Sequence, residues 1–313
     1  MRVFICSTCY DLIDLRAELK DVFRNAGVSV CLSDSPTSDF QVKQDCNSIE
    51  TCLANVRECD EFIIILSNRY GPSLGAANYG NISATHLEYR TAKESNKRIR
   101  MYVRDRLEGD YATWKKNSDK TKLTLPWCEK EDWGIFDILK EHRLLEKESP
   151  QSNWVSIFRN SVELKEIISR DFKEVFAREF VRKLTLNGKA PYFEVICSIK
   201  SGGANTFNAL IRIRNLGEVV AISPTLEIHG LPIKFIFDSI PPIESREREF
   251  TWNRVLGRTY TLTSHLQYSL LDGSRLSDVA EIVVQDELGL PNVINYILKE
   301  KRYISGPIDL LKF

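Results

Sequence analysis

The sequence contains no long hydrophobic run. No apolar stretch reaches the about 18–20 residues that a membrane-spanning helix needs. The start, MRVFICSTCYDL, has too short an apolar core for a signal peptide and no small-residue cleavage site. We therefore expect a cytoplasmic protein with no membrane partner.

The sequence also lacks an excess of charge of either sign. Lys plus Arg and Asp plus Glu number 43 each, so the formal net charge is zero. General nucleic-acid-binding proteins normally carry a basic surplus, and we do not expect this class here. The four histidines are scattered and no second C-x-x-C motif occurs, so no metal site is predicted.

Common phosphate-binding motifs are absent as well. The chain has neither G-x-x-x-x-G-K-[ST] nor G-x-G-x-x-G, which leaves an ATPase or a classical dinucleotide fold without support. Six of the eight cysteines lie within the first 59 residues, and we interpret them as buried thiols of a reducing compartment. Cys6-x-x-Cys9 has dithiol spacing, but the order of elements is not that of a thioredoxin, so redox chemistry is a minor alternative.

Residues 1–104 alternate between strand and helix patterns. Short apolar runs at 3–6 and 62–66 predict buried parallel strands, and apolar residues between 12 and 23 recur at helical spacing. Gly27 stands where that helix should end. The order β-α-β-α-β-α-β predicts an α/β domain with a parallel sheet and helices on both faces.

The rest of the chain has two different characters. Residues 105–188 are rich in both charge signs and have helical apolar spacing, which predicts a helical region. Residues 189–313 predict a β-sandwich domain, with short strands separated by turn formers and an irregular tail with one short helix from Leu288. Exposed edges of such a sandwich could pair with a partner protein or a second copy, so we expect a homo-oligomer or a protein complex.

Polar residues follow the first predicted strand. Ser7, Thr8, Tyr10 and Asp11 lead into the first helix, where free backbone N–H groups favour phosphate and hydroxyls add donors. In an open parallel sheet, ligands bind beyond the carboxyl ends of the strands. The alternative is that Thr8 or Asp11 only caps the helix.

Two further segments supply candidate site residues. Arg69 beside Tyr70 could hold a phosphate and stack a base, or Arg69 could simply bond loop carbonyls. Ser83 is the predicted cap of a helix that carries Glu88 about one turn inside. A carboxylate there could bind ribose and stabilise an oxocarbenium-like sugar. The residues alone favour the other interpretation, a glutamate placed by the helix dipole. His86 falls on a different helix face and is predicted to be a surface or lid residue.

Three sequence blocks together resemble a family of TIR-like domains of unassigned function. The run Val3 to Leu12, with Arg16, is similar to the family's opening V-F-I-S-S-T-x-x-D-L. The segment from Cys59 to Gly71 resembles its s-D-x-strand-x-R-Y-G block, and Ser83 to Ala92 resembles its S-x-T-x-x-E-Y-x-x-A block. The blocks occur in the right order, although Cys6 replaces the first serine and Asn68 a glycine. The resemblance ends near residue 104.

The resemblance implies a flavodoxin-like fold and a function. Related TIR domains and nucleoside 2-deoxyribosyltransferases use a glutamate at the position of Glu88 to cleave N-glycosidic bonds. It implies an effector or signalling enzyme, in antiviral defence, with NAD or a related nucleotide as substrate and no cofactor. Two alternatives stay open: a non-catalytic module that senses a nucleotide or binds a protein, and a housekeeping nucleoside-processing enzyme.

Overall fold

A computed structural model describes residues 1–75, 79–144, 153–202, 206–229, 233–253, 259–287 and 290–306. The chain forms two compact units, Met1–Lys173 and Glu174–Asp309, called here the first and second units. No helix among these described residues is long and apolar enough to cross a membrane.

The first unit is an α/β domain with a five-stranded parallel sheet. Its strands are β1 (Arg2–Cys6), β2 (Ser29–Cys31), β3 (Glu61–Leu66), β4 (Arg98–Arg104) and β5 (Val155–Phe158). Its helices are α1 (Ile13–Asn25), α2 (Ser48–Glu58), α3 (Ala84–Glu94), α4 (Asp105–Lys116), α5 (Gly134–Arg143) and α6 (Ser161–Asp171). The strand order β2-β1-β3-β4-β5 confirms the predicted flavodoxin-like α/β class.

The sheet is assembled from the apolar runs of the sequence. Every residue of β3 is buried, as expected for a strand covered by helices on both faces. Phe4 of β1 is in register with Phe62 of β3, and their rings stack with centroids 5.7 Å apart. After α1, the backbone of Gly27 turns through φ +83°, which a glycine adopts without steric cost.

The unit boundary differs from the boundaries predicted at residues 104 and 188. The segment predicted to be entirely helical supplies β5, which pairs in parallel with β4 over Met101 to Arg104. This strand has only four residues, and its apolar side chains also fit a helical spacing, so periodicity could not separate the two states. The parallel sheet therefore extends well beyond residue 104.

In the part of the second unit that the structure describes, one helix accompanies two antiparallel sheets. The helix is α7 (Lys173–Leu186). The strands are β6 (Phe193–Gly202), β7 (Thr206–Asn215), β8 (Ile222–Ile228), β9 (Lys234–Ile236), β10 (Ser245–Asn253), β11 (Thr259–Ser269), β12 (Arg275–Glu287) and β13 (Leu290–Ser305). One sheet has the order β10-β7-β6 and the other β13-β12-β11-β8-β9. Their buried side chains form one core, for example Ile211 with Leu226 and Leu266, which confirms the sandwich.

The predicted irregular tail is wrong over residues 290–305, whereas residues 288–289 and 307–313 lie outside the described residues. Residues 290–305 form β13, which pairs along most of β12. Tyr296, Leu298 and Tyr303 are partly buried, whereas the residues between them are mostly exposed and charged. A register shift between Val279 and Ala280 breaks the alternation. This bulge, together with the charges, hid the period-2 pattern of a strand.

Candidate functional site

A cavity of about 460 Å³ lies at the carboxyl ends of β1 and β3. The strand order reverses between these two strands, which is where open α/β sheets bind ligands. The predicted site residues other than Asp11 all line this cavity: Ser7, Thr8, Tyr10, Arg69, Tyr70, Ser83 and Glu88.

Glu88 projects from α3 into the buried end of the cavity. The Ser83 hydroxyl accepts a hydrogen bond from the His86 amide at 3.3 Å and begins the helix as predicted. Glu88 is 8% exposed. Burial raises the pKa of its carboxyl group, although the nearby Cys6 and Cys52 thiols and the charge of an arginine act in the opposite direction.

That arginine is Arg16, a cavity-lining residue on the buried face of α1 with 2% exposure. Its Nη1 donates to the Ser7 Oγ at 2.9 Å and to two carbonyls of the β1 end. Its Nε and Nη2 donate to both oxygens of Asp34, the shortest contact being 2.7 Å. This bidentate pair fixes the guanidinium and leaves it with its own counter-charge.

The contacts between Arg16 and Asp34 also shift the pKa of Asp34. Burial opposes the charged form of Asp34, but the hydrogen bonds and charge of Arg16 outweigh it and lower the pKa of Asp34. Sequence reasoning included Arg16 only as part of a family block and missed Asp34. The available signal was an arginine within the apolar stripe of α1, between the buried Leu15 and Leu19.

Asp11 lies beside the cavity and does not line it. The Thr8 hydroxyl donates to its Oδ1, and its Oδ2 is buried without a hydrogen-bond partner among the described residues. Neither residue caps α1, because that helix begins at Ile13 after Leu12, with no side-chain capping bond. Asp11 therefore contacts the cavity only through its hydrogen bond with the lining residue Thr8, among the residues described.

Arg69 and Tyr10 form the outer rim of the cavity. The Arg69 guanidinium carbon lies 4.8 Å from the centroid of the Tyr10 ring, a cation–π geometry. The ring that Arg69 stacks on follows β1, and Tyr70 lines the same cavity as Arg69. Among the described residues, no loop carbonyl accepts a hydrogen bond from its guanidinium, so the alternative structural role is not observed.

Tyr70 forms a side wall of the cavity, and hydrogen bonds to residues outside the cavity fix its position. Its backbone N–H donates to Asp132 Oδ1 at 2.7 Å, and its hydroxyl lies 2.8 Å from His86 Nδ1. Burial raises the pKa of Tyr70. His86 is 1% exposed and its Nε2 lies 3.1 Å from Glu141 Oε1, so the prediction of a surface or lid histidine is wrong.

Gly71 connects the two sides of the cavity. Its φ of +87° is in the left-handed region, and a Cβ there would lie 3.7 Å from Thr8 Cγ2 and 3.8 Å from Ser83 Cβ. The loop after β3 thus passes between the loop after β1 and the start of α3. This packing brings three separate sequence blocks to one cavity.

The thiols of the site are poorly suited to nucleophilic chemistry. Burial raises the pKa of Cys6 and of Cys9, which disfavours the reactive thiolate at both positions. Within the described ranges, no group of three or more His, Cys, Asp or Glu side chains could hold a metal ion. The chemistry available is that of a buried carboxyl group, two arginines and several hydroxyls.

Several solved structures are similar to this chain, all at low sequence identity. The CMP N-glycosidase BcmB of Clostridium botulinum is 15% identical, over 55% of this chain and 99% of that chain, with a TM-score of 0.29. The translation elongation factor SelB of Methanococcus maripaludis is 9% identical, over 97% and 73%, with a TM-score of 0.27. β-Glucosidase 3B of Thermotoga neapolitana is 10% identical, over 98% and 51%, with a TM-score of 0.18. Scores this low carry no functional argument.

Comparison at the level of protein families is more specific. No curated protein matches the chain significantly. The family described as "Domain of unknown function (DUF4062)" matches residues 2–173, which is more than half of the chain and nearly coincides with the first unit. The chain therefore belongs to the DUF4062 family, and the cavity around Glu88 lies entirely within its family domain.

Proposed function

We propose that the first unit binds a nucleoside or nucleotide and cleaves its N-glycosidic bond, with Glu88 acting at the sugar. The observation that supports this proposal is that Glu88 and Arg69 line one cavity at the β1–β3 switch point. A carboxyl group on an open surface would instead favour a purely structural role.

The chemistry follows from the charge that develops in this reaction. As the bond to the base breaks, the base leaves with the bonding electron pair and positive charge builds up on the sugar ring. Water then attacks the sugar carbon, and its proton passes to the departing base or to solvent. A carboxylate in a shielded cavity stabilises that charge more strongly than one in water, because the local dielectric constant is low. Arg16 and the two thiols stabilise the ionised form of Glu88 against the effect of burial.

The remaining groups would hold the ligand. The backbone N–H groups at the start of α3 are suited to phosphate oxygens. The Ser7 and Thr8 hydroxyls donate their protons to the Thr8 carbonyl and to Asp11, so they are suited to accept hydrogen bonds from ribose hydroxyls. A cavity of about 460 Å³ is within the usual size range of small-molecule sites. NAD or a related nucleotide is the substrate that the sequence resemblance implies. A role in antiviral defence and assembly into oligomers stay predictions from the sequence.

The test is release of a free base from NAD and from a panel of nucleosides and nucleotides. We expect Glu88→Gln to lower kcat by about 10²–10³-fold, the usual effect of removing one electrostatic stabiliser. Glu94→Gln is the matched control, since Glu94 is exposed at the end of the same helix. Equal rates for Glu88→Gln and the unmodified protein, or no base release from any compound, would contradict the proposal.

A second candidate function is a non-catalytic nucleotide sensor. Burial raises the pKa of Glu88, so its neutral form persists to a higher pH than that of an exposed glutamate. A neutral carboxyl group can donate a hydrogen bond to a ligand without stabilising a cation. This function predicts nucleotide binding that survives Glu88→Gln and no released base. Calorimetric titration of the full chain, run beside the base-release assay, separates the two functions.

A further inference from the structure

Three charged side chains line the cavity: Arg16, Arg69 and Glu88. Arg16 already has its counter-charge in Asp34, and its remaining contacts are with Ser7 and backbone carbonyls. Glu88 lies at the buried end, within the electrostatic influence of Arg16. Among the residues that the structure describes, Arg69 is the cation of the cavity that has no carboxylate as a counter-charge.

The surroundings of Arg69 leave its hydrogen-bond donors available. Within the described ranges no carboxylate forms an ion pair with it, and its only described contact is the Tyr10 ring. A guanidinium stacked on a ring keeps its N–H groups at its edges, where they can bind an anion in a bidentate manner. Tyr10 is 83% exposed, so the stack lies at the solvent-facing rim.

A second element adds positive potential to the same cavity. Ser83, Ala84 and Thr85 at the start of α3 line it, and the amino end of a helix carries a partial positive charge. Gly71, two residues after Arg69, packs against Ser83 and Thr8. Arg69 and the amino end of α3 therefore lie on the same wall of the cavity.

We infer that Arg69, held on the Tyr10 ring, forms a phosphate subsite at the rim and that the ligand is a phosphorylated nucleotide in preference to an uncharged nucleoside. The inference rests on the proposed function, because it names the substrate class of the same site. The sugar would lie between the rim and Glu88, and its phosphate would neutralise Arg69. Inorganic phosphate alone would bind weakly, because it lacks the contacts of the sugar and base.

The experiment is calorimetric titration of the full chain with matched pairs, each a nucleoside and its 5′-monophosphate, and with inorganic phosphate. Titrations of the Glu88→Gln chain prevent turnover from obscuring the binding constants. We expect at least one monophosphate to bind ten or more times as tightly as its nucleoside, as charge-assisted hydrogen bonds predict. Arg69→Gln should abolish this ratio, and Arg69→Lys, which keeps the charge without the planar fork, should retain part of it.

Arg106→Gln is the matched control. The Arg106 guanidinium also stacks at 4.8 Å on an aromatic ring, that of Trp127, but it does not line the cavity. The Arg106→Gln variant should leave the ratio of monophosphate to nucleoside affinity unchanged for every pair. Tyr10→Leu should reduce the phosphate preference and Tyr10→Phe should keep it, since the ring positions the guanidinium.

The results separate this inference from the proposed function. A phosphate preference that depends on Arg69 but comes with no base release supports the subsite and removes the enzyme function. Base release with equal kcat/KM for nucleosides and monophosphates supports the enzyme and overturns the subsite. The subsite is also overturned if no pair shows a phosphate preference, or if Arg69→Gln weakens both members equally.

Discussion

Gly134, the first residue of α5, lies so close to Tyr70 that a Cβ atom there would be 2.5 Å from Tyr70 Cε1. Tyr70 forms a wall of the cavity, so a residue far along the chain supports the site. Together with the bond from the Tyr70 amide to Asp132, this contact fixes the loop after β3 against the segment around α5.

Gly134→Ala should therefore move Tyr70 and weaken ligand binding. Alanine is favoured over glycine within a helix by about 0.5–1 kcal/mol, but overpacking a filled site costs about 1–3 kcal/mol. We expect a net loss of about 1 kcal/mol in the free energy of unfolding and a rise in KM of about tenfold, because the wall is displaced. Denaturant unfolding and steady-state kinetics measure the two effects.

Gly109→Ala is the control that measures the helix preference of alanine over glycine without a steric clash. Gly109 lies within α4, and an added Cβ there would have no neighbour within 4 Å. It should stabilise the chain by about 0.5–1 kcal/mol and leave KM unchanged. In a chain that already carries Tyr70→Ala, Gly134→Ala should raise the free energy of unfolding instead of lowering it, since the ring is then absent. If Gly134→Ala and Gly109→Ala changed the free energy of unfolding and KM equally in the otherwise unmodified chain, the proposed clash with Tyr70 would be contradicted.

Asp34→Asn should destabilise the first unit. The substitution removes the counter-charge of Arg16, whose side chain is only 3% exposed. Loss of one partner of a buried pair typically costs about 3–5 kcal/mol. We expect about 3 kcal/mol here, because the Asp34 side chain is 23% exposed and water can partly replace it. Denaturant unfolding measures this loss, and Glu18→Gln in the surface pair with Lys165 should cost less than about 1 kcal/mol.

The pH dependence of stability should carry a contribution from Glu88. Its pKa in the folded chain is raised above the ordinary value of 4.5. The folded state then holds a proton that the unfolded chain releases, so this stabilisation is complete below pH 4.5 and is lost as pH rises towards the raised pKa. The free energy of unfolding of the unmodified chain, minus that of Glu88→Gln, should fall across this window by at most about 1.4 kcal/mol per pH unit. A difference that stays flat from pH 4 to 8 would refute the raised pKa.

Lys301→Met should destabilise the second unit. Lys301 Nζ lies 2.6 Å from Asp278 Oδ1 and donates to the carbonyl of Pro191 and to the Tyr268 hydroxyl. Both charged side chains are almost completely buried, so removing the cation leaves an unpaired carboxylate and costs about 3–5 kcal/mol.

The neighbouring pair provides the control for that prediction. Lys299 and Glu281 form an ion pair on the same strands with side chains 49% and 40% exposed. Lys299→Met should cost less than about 1 kcal/mol. Combining Lys301→Met with Asp278→Leu should recover most of the loss, because no buried charge then remains. Thermal and denaturant unfolding of the full chain measure all three variants.

Much of the site could be predicted because parallel strands place their carboxyl ends at one edge. Ser7 and Arg69 follow neighbouring strands, and Glu88 lies one turn into the next helix, so the topology alone brings them close. The partners of Arg16 and Tyr70 could not be predicted. Their contacts with Asp34 and Gly134 depend on tertiary packing, which leaves no periodic signal in the sequence.

Two strands have no clear pattern in the sequence, and the reasons are related. β5 is short and its residues fit a helical spacing. The charged pairs Arg246–Glu244 and Arg212–Glu247 belong to the β7–β10 region, where an outward face rich in charge hides the strand pattern of β10. Local patterns identify an element reliably only when one face is apolar and uninterrupted.

The position of β5 also affects how the protein emerges during synthesis. Every cavity-lining residue lies within the first 88 positions, but β4 gains its outer neighbour only when residues 155–158 have been translated. Until then β4 presents an unpaired edge, which other nascent chains could join. The β4 edge is therefore covered by a neighbouring strand only after β5 has been made, well after the residues of the site.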